Sequence, residues 1–167
     1  MKRRAAVLVL LGVLAACGFR PLYGERAQGP EVEAQFAAID IAPISDRLGQ
    51  LVRNHLLDAM NPYGRPQRPA YRLEVILSPT QESLAFREDD TATRVNLRLA
   101  ATYVLKRARS DEILLEGGTR VIASYNVTRQ DYATLIADRD ARARAAREVA
   151  DEIVTRLAVW FELANPA

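Results

Sequence analysis

Hydrophobic and polar residues alternate along three stretches in the middle of the chain, and this period of two predicts three β-strands. The stretches begin at Tyr71, Arg94 and Ile113, and the second has the cleanest alternation, as far as Lys106. A shorter alternation at 36–43 predicts a further strand that ends at a proline. Because each stretch has one apolar and one polar side, we expect a sheet with one buried face and one face in water.

Prolines and glycines interrupt this pattern at two places. Pro79 follows the first long stretch, so the sequence predicts a break at 78–79, with residues 80–88 as a candidate continuation. In the third stretch, the pair Gly117 and Gly118 predicts a bulge or a bend. The connections between the three long stretches are short, which favours an antiparallel meander.

Two segments have a helical period instead. Apolar residues recur every three or four positions up to Met60, after Ser45 as a candidate N-cap. A longer apolar stripe from about position 129 or 130 to Phe161 predicts a second helix. The order β-α-β-β-β-α predicts a two-layer α+β domain over 36–163. We expect a four-stranded, mostly antiparallel sheet with the two helices packed on one face.

The start of the chain has a different organisation. Basic residues at 2–4 precede an uncharged apolar run at 5–16, which is too short for a membrane-spanning helix of ~20 residues. This order is that of a secretory signal peptide. Cys17, the only cysteine, directly follows the small residues and looks like the acylation site of a bacterial lipoprotein. We therefore expect a cleaved signal peptide over 1–16, lipid on Cys17 and a tether over 17–35. A coincidental cysteine is the alternative.

Charge and composition limit the function classes. Cleavage of the signal peptide removes three basic residues, which leaves 20 Lys and Arg against 21 Asp and Glu. The net charge therefore changes from +2 to −1. Such a charge gives no argument for nucleic-acid binding. With no thiol besides Cys17, the mature chain folds without disulfides. The sequence shows no Cys/His cluster for a metal and no recognisable catalytic group, so we expect no enzyme activity and no cofactor beyond covalent lipid.

Four segments resemble one protein family. The start at 17–24, CGFRPLYG, is the most specific, and the strands YRLEVIL and NLRLAATYVL and the run at 131–157 agree with it. Together they resemble the lipopolysaccharide-assembly lipoprotein family LptE, particularly its alphaproteobacterial form, over nearly the whole mature chain. The resemblance implies a four-stranded sheet with two helices on one side, and no catalysis. Gly18, rather than an aspartate, after the cysteine favours the outer membrane in similar lipoproteins.

The same resemblance implies a location and partners. Proteins of this family lie on the periplasmic side of the outer membrane, plug and help to assemble the β-barrel LptD, and bind lipopolysaccharide during its insertion into the outer leaflet. An accessory lipoprotein of another envelope lipid transporter is the alternative function.

The polar face of the sheet supplies the candidate binding residues. Such a face fits the polar interior of a transmembrane barrel, and the candidates for facing the barrel are Arg72, Arg98 and Arg120. Lipopolysaccharide carries phosphates, which Arg and Lys bind well. The candidates for binding it, at strand ends and turns, are Arg87, Arg94, Lys106, Arg107 and Arg109. Ordinary solvated charges are the alternative for both sets.

Overall fold

The computed structural model describes residues 30–84, 93–128 and 130–164. Their elements are helix α1 (Pro30–Ala37), strand β1 (Ile39–Ile41), helix α2 (Asp46–Met60), strands β2 (Tyr71–Leu84), β3 (Thr93–Arg107) and β4 (Ile113–Val127), and helix α3 (Asp131–Ala164). The strands form one sheet in the order β1-β2-β3-β4. β1 is parallel to β2, and the other pairs are antiparallel. The α+β fold predicted from the sequence is therefore confirmed.

Helices α2 and α3 pack against each other on one face of the sheet. The apolar stripe predicted for α3 is buried, including Val149, Ile153 and Leu157. It meets the inward side chains of the strands, such as Leu73 and Leu97. Each fully buried aliphatic side chain of this kind contributes about 1.5–3 kcal/mol to folding. Because this core occupies one face of the sheet, it is the opposite face that remains for contacts with other molecules.

Helix α1 was not predicted, because residues 30–35 belong to the predicted tether. Two apolar side chains four positions apart, Val32 and Phe36, are buried in the core. The Phe36 ring packs edge-on against Phe161 of α3, with ring centroids 6.0 Å apart. β1 consequently begins at Ile39 and is shorter than the predicted strand at 36–43. Two apolar residues are too short a pattern to predict a helix from the sequence. The helix becomes recognisable only when the surface of α3 against which it packs is known.

Strand β2 runs through Pro79 without a break, so the interruption predicted at 78–79 is wrong. The backbone N–H of Ala108 donates to the carbonyl oxygen of Ala70 at 2.9 Å, which means that the even-numbered residues of β2 bond to β3. The odd-numbered residues, including Pro79, present their main-chain groups to the opposite side. Because no described strand lies there, the missing proline N–H costs no ladder hydrogen bond. Residues 85–88 of the candidate continuation lie outside the described residues.

The irregularity of β4 precedes its glycines. The register shifts where Leu105 and Lys106 pair with Leu115 and Ile113, so the bulge does not lie at the glycine pair. Gly117 is instead directly opposite Tyr103, where a Cβ atom would lie 2.6 Å from the Cζ atom of the tyrosine ring. This glycine makes room for a large buried side chain.

Candidate functional site: the uncovered face of the sheet

The sheet face opposite to α2 and α3 is covered by no other element of the described residues. We call it the outer face. It is formed by the even-numbered residues of β2 and β3 and by the residues opposite them in β4. On these three strands, basic side chains outnumber acidic ones. The charged members are Arg72, Glu74, Glu82, Arg94, Arg98, Lys106, Glu116 and Arg120.

One end of the outer face carries an ion cluster that joins two strands. The Lys106 Nζ atom lies 2.6 Å from Oε2 of Glu74, and the Arg72 Nε atom lies 3.5 Å from Oε1 of the same carboxylate. The hydrogen bond from Lys106 is the main reason why the pKa of Glu74 is below its usual value, and the positive charges of Lys106 and Arg72 add to it. Lys106 and Arg72 are therefore already partly neutralised by this carboxylate.

The middle of the outer face has a different charge arrangement. The Arg98 Nη2 atom lies 2.8 Å from Oε2 of Glu82, while its buried Nε atom has no hydrogen-bond partner among the described residues. Arg120 is exposed and forms no ion pair within the described part of the chain. The three candidates for facing a barrel, Arg72, Arg98 and Arg120, thus share the outer face. Arg120 is the one whose charge is most available to a partner.

Three isoleucines also point outward, although the alternation of the strands predicted a polar face. Ile76, Ile113 and Ile122 are 69%, 59% and 53% exposed, and all three lie on the outer face by register. For Ile76 and Ile122 the available signal was the loss of alternation at 75–77 and 121–123, where three apolar residues follow one another. In a strand with two faces, such a run must place apolar side chains on both. The outer face is therefore amphipathic rather than purely polar.

The structure does not bring the candidate lipopolysaccharide-binding residues into one cluster. Lys106, Arg107 and Arg109 lie at or next to the β3–β4 turn, whereas Arg94 lies near the opposite end of β3. At ~3.3 Å per residue, Arg94 and Lys106 are separated by about 40 Å. Arg87 lies outside the described residues.

The β3–β4 turn combines basic and apolar groups at its surface. The Arg107 Nε atom lies 3.1 Å from Oε2 of Glu112 across the turn, and Arg109 is exposed beside it. The exposed Ile113 is directly opposite Lys106 on the outer face. A ligand with both an anionic group and an apolar chain could contact both kinds of group here.

Other chemistries find no support in the described residues. No cluster of three His, Cys, Asp or Glu side chains in 30–84, 93–128 and 130–164 is arranged to hold a metal ion. Among the helices of those ranges, none has the length and apolar character needed to cross a bilayer. Cys17 and the predicted signal peptide lie outside the described residues.

Comparison with protein families identifies the chain. The family model LptE, described as lipopolysaccharide-assembly, matches residues 36–157, which include all of the sheet and most of α3. The chain belongs to the LptE family. LptE proteins are envelope lipoproteins that take part in lipopolysaccharide assembly and are not enzymes, so this chain has a role in that process together with the transport machinery.

Solved structures have the same fold as this LptE-family chain. A Caulobacter crescentus CB15 protein classed as a lipoprotein shares 28% identity and a TM-score of 0.65, over 78% of this chain and 95% of its own. Rare lipoprotein B from Shewanella oneidensis shares 15% identity and a TM-score of 0.53, over 76% and 98%. A minor lipoprotein from Acinetobacter baumannii shares 13% identity and a TM-score of 0.51, over 72% of this chain and 91% of its own. The last two show the fold alone. No sequence among the curated proteins matches this chain.

Proposed function

We propose that this LptE-family protein is held by lipid on Cys17 at the periplasmic side of the outer membrane. There it plugs the β-barrel LptD, helps to assemble it, and binds lipopolysaccharide that passes to the outer leaflet. The observation that carries the proposal is the outer face: charged and apolar side chains stand on a long sheet surface that no described element covers.

The size of the outer face supports docking. The three long strands extend over about 40 Å and, at ~4.8 Å between strands, are about 15 Å wide with their side chains. The resulting surface of about 600 Å² approaches the ~800 Å² that each partner buries in a stable complex. Its mixture of basic groups with exposed Ile76 and Ile122 fits a barrel interior, which is polar and able to enclose a plug.

The β3–β4 turn, at one end of the sheet, is the region that we assign to lipopolysaccharide. Arg109 and Arg107, the latter shared with Glu112, supply guanidinium groups suited to phosphate. Lys106 adds an ammonium group that it shares with Glu74. The exposed Ile113 lies directly opposite Lys106, where an acyl chain could pack. Arg94, at the far end of β3, is not part of this site.

Charge reversal tests the docking face. Arg120→Glu changes a side chain that forms no ion pair among the described residues, so the domain should stay folded. Arg98→Glu places a second carboxylate near Glu82. The melting temperature of this variant is therefore measured before its recovery of LptD is interpreted. We expect both variants to reduce recovery of LptD with the tagged, lipidated protein from solubilised outer membranes.

The matched controls are Arg139→Glu and Arg147→Glu on the exposed side of α3, which make the same change of charge away from the sheet. Reduced recovery for the sheet variants alone supports docking by the outer face. Equal recovery of LptD with all four variants would contradict it. Recovery of an inner-membrane transporter in place of the barrel would favour the accessory-lipoprotein function.

A further inference from the structure

Within the described part of the chain, one edge of the sheet is unpaired along most of its length. β1 pairs with β2 only from Ile39 to Ile41, opposite residues 71–73. From Glu74 to Leu84, β2 has β3 on one side and no strand of the described residues on the other. An unpaired edge presents a row of main-chain hydrogen-bonding groups to which another chain can add.

The alternation of the main-chain hydrogen bonds along β2 shows which of its residues direct their N–H and carbonyl groups to the unpaired edge. The backbone N–H of Ala42 donates to the carbonyl oxygen of Leu73 at 3.0 Å, so odd-numbered residues of β2 face the edge. Beyond this last bond to the β1 side, Val75 and Leu77 each offer an N–H and a carbonyl oxygen. Pro79 offers a carbonyl oxygen only.

The segment after β1 is held away from this edge by two contacts. Arg53 of α2 donates from Nη2 to the carbonyl oxygen of Ile41 at 2.9 Å and from Nε to that of Ala42 at 3.2 Å. Ile44 folds tightly over Gly49, where a Cβ atom would lie 2.7 Å from Ile44 Cγ2 and 2.9 Å from its carbonyl oxygen. The chain therefore turns into α2 instead of continuing along β2.

A groove of about 800 Å³ separates this turn from the edge of β2. One wall is formed by Ile44 and Leu48 and the other by Val75, Leu77 and Pro79. The groove thus combines apolar side chains with a ladder of free main-chain groups, which is the chemistry that recognises an extended polypeptide.

We propose that an extended segment of the partner protein adds to β2 in this groove as a further strand. Main-chain groups of the segment would pair with Val75, Leu77 and the carbonyl oxygen of Pro79, and alternate side chains would enter between Ile44 and Leu48. Asp46 and Arg47, both exposed at the rim and without an ion pair among the described residues, offer one charge of each sign to polar side chains of the segment. The proposal rests on the proposed function for the identity of the partner, LptD.

Other occupants fit less well. An acyl chain would leave the N–H groups of Val75 and Leu77 without partners, at a cost of about 1–3 kcal/mol for each buried group. In a symmetric pairing of two copies through the middle of the open edge, Pro79 of each copy would remove a donor from the ladder. A segment of another protein can choose its register and avoid this loss.

A proline substitution tests the pairing. Leu77→Pro removes one edge N–H and leaves the bonds of β2 to β3 intact, because Leu77 faces the edge. Leu77→Ala is the matched control, since it also removes the partly buried side chain and keeps the N–H. Both are prepared as full-length lipidated proteins with circular-dichroism spectra and melting temperatures measured. We expect about tenfold less LptD with the proline variant than with the alanine variant.

A photo-crosslinking amino acid at position 47, with position 139 as control, then identifies the contact. Crosslinked LptD peptides at position 47 alone, from one continuous segment, would support strand addition. Equal recovery of LptD with the two Leu77 variants would overturn strand addition and leave docking by the outer face intact. Absence of LptD even with the unmodified protein would overturn both, and a crosslink to a second copy of this chain would overturn the choice of occupant.

Discussion

Replacement of Gly117 by alanine should destabilise the protein, although alanine usually stabilises a strand relative to glycine. A Cβ atom at this position would lie 2.6 Å from Cζ and 3.1 Å from Cε2 of Tyr103. The ring is only 2% exposed and lies under α3, and this burial is the main reason why the pKa of the Tyr103 hydroxyl is raised. The ring cannot move outward without opening the contact between sheet and helix.

The neighbouring glycine provides the control. At Gly118 a Cβ atom would lie 3.4 Å from the carbonyl oxygen of Ala101 and 3.9 Å from Thr102 Cγ2, which is ordinary contact. Both substitutions reduce the freedom of the unfolded chain, a gain of about 0.4–1 kcal/mol where the backbone is compatible. This gain is common to both, so their difference in unfolding free energy isolates the overpacking at Tyr103, typically ~1–3 kcal/mol.

The assay is urea unfolding followed by far-ultraviolet circular dichroism, with thermal melting beside it. For a chain of this size, the difference corresponds to about 2–12 °C in melting temperature. We expect Gly118→Ala to melt at or above the unmodified protein and Gly117→Ala to melt below it. Unfolding free energies of the two variants within ~0.5 kcal/mol of each other, the scatter of ordinary surface substitutions, would refute the reasoning about the Tyr103 contact.

Three further predictions concern the anchor, the turn and acid stability. Cys17→Ser should abolish lipid attachment, as checked by mass spectrometry of the membrane fraction; a lipidated variant would contradict it. Arg107→Ala combined with Arg109→Ala should weaken binding of purified lipopolysaccharide, measured by calorimetry, while Arg94→Ala should not; equal losses would contradict the assignment of the turn. Because the folded pKa of Glu74 is lowered, its stabilising contribution is present above its ordinary pKa and is lost as pH falls through the folded value. The unfolding free energy of Glu74→Gln, measured in urea, should therefore depend less on pH in this acidic range than that of the unmodified protein. Identical pH profiles for the two proteins would contradict this prediction.

Much of the fold was predictable because its signals are local. The alternation of β3 from Arg94 to Lys106 and the stripe of α3 each lie within one element, and burial of one side dictates both patterns. The exposure of Arg98 and Arg120 follows from the same alternation. For Ile76 and Ile122, the consecutive apolar residues at 75–77 and 121–123 were a signal in the sequence, whereas the outward position of Ile113 follows only from the register shift between β3 and β4.

The open edge of β2 could not be predicted from the sequence. Pro79 is read as a strand breaker when its strand is considered alone, yet it costs nothing where its missing N–H faces an edge. The side of β2 to which the missing N–H of Pro79 would point depends on the pairing of β2 with β3, and whether that side is an edge depends on where β1 ends. The groove likewise depends on Arg53 and Gly49, which hold the turn after β1 away from the strand.

The sequence by itself determined the class of fold, the family and the expected lipid anchor at Cys17, because these are carried by periodicity and by short contiguous motifs. Only the tertiary structure decided that α1 packs into the core, that Gly117 accommodates Tyr103, and that basic and apolar groups meet at the β3–β4 turn. The physical reason is that these features are contacts between residues distant in the chain. Their existence depends on strand register and helix packing, which no local pattern encodes.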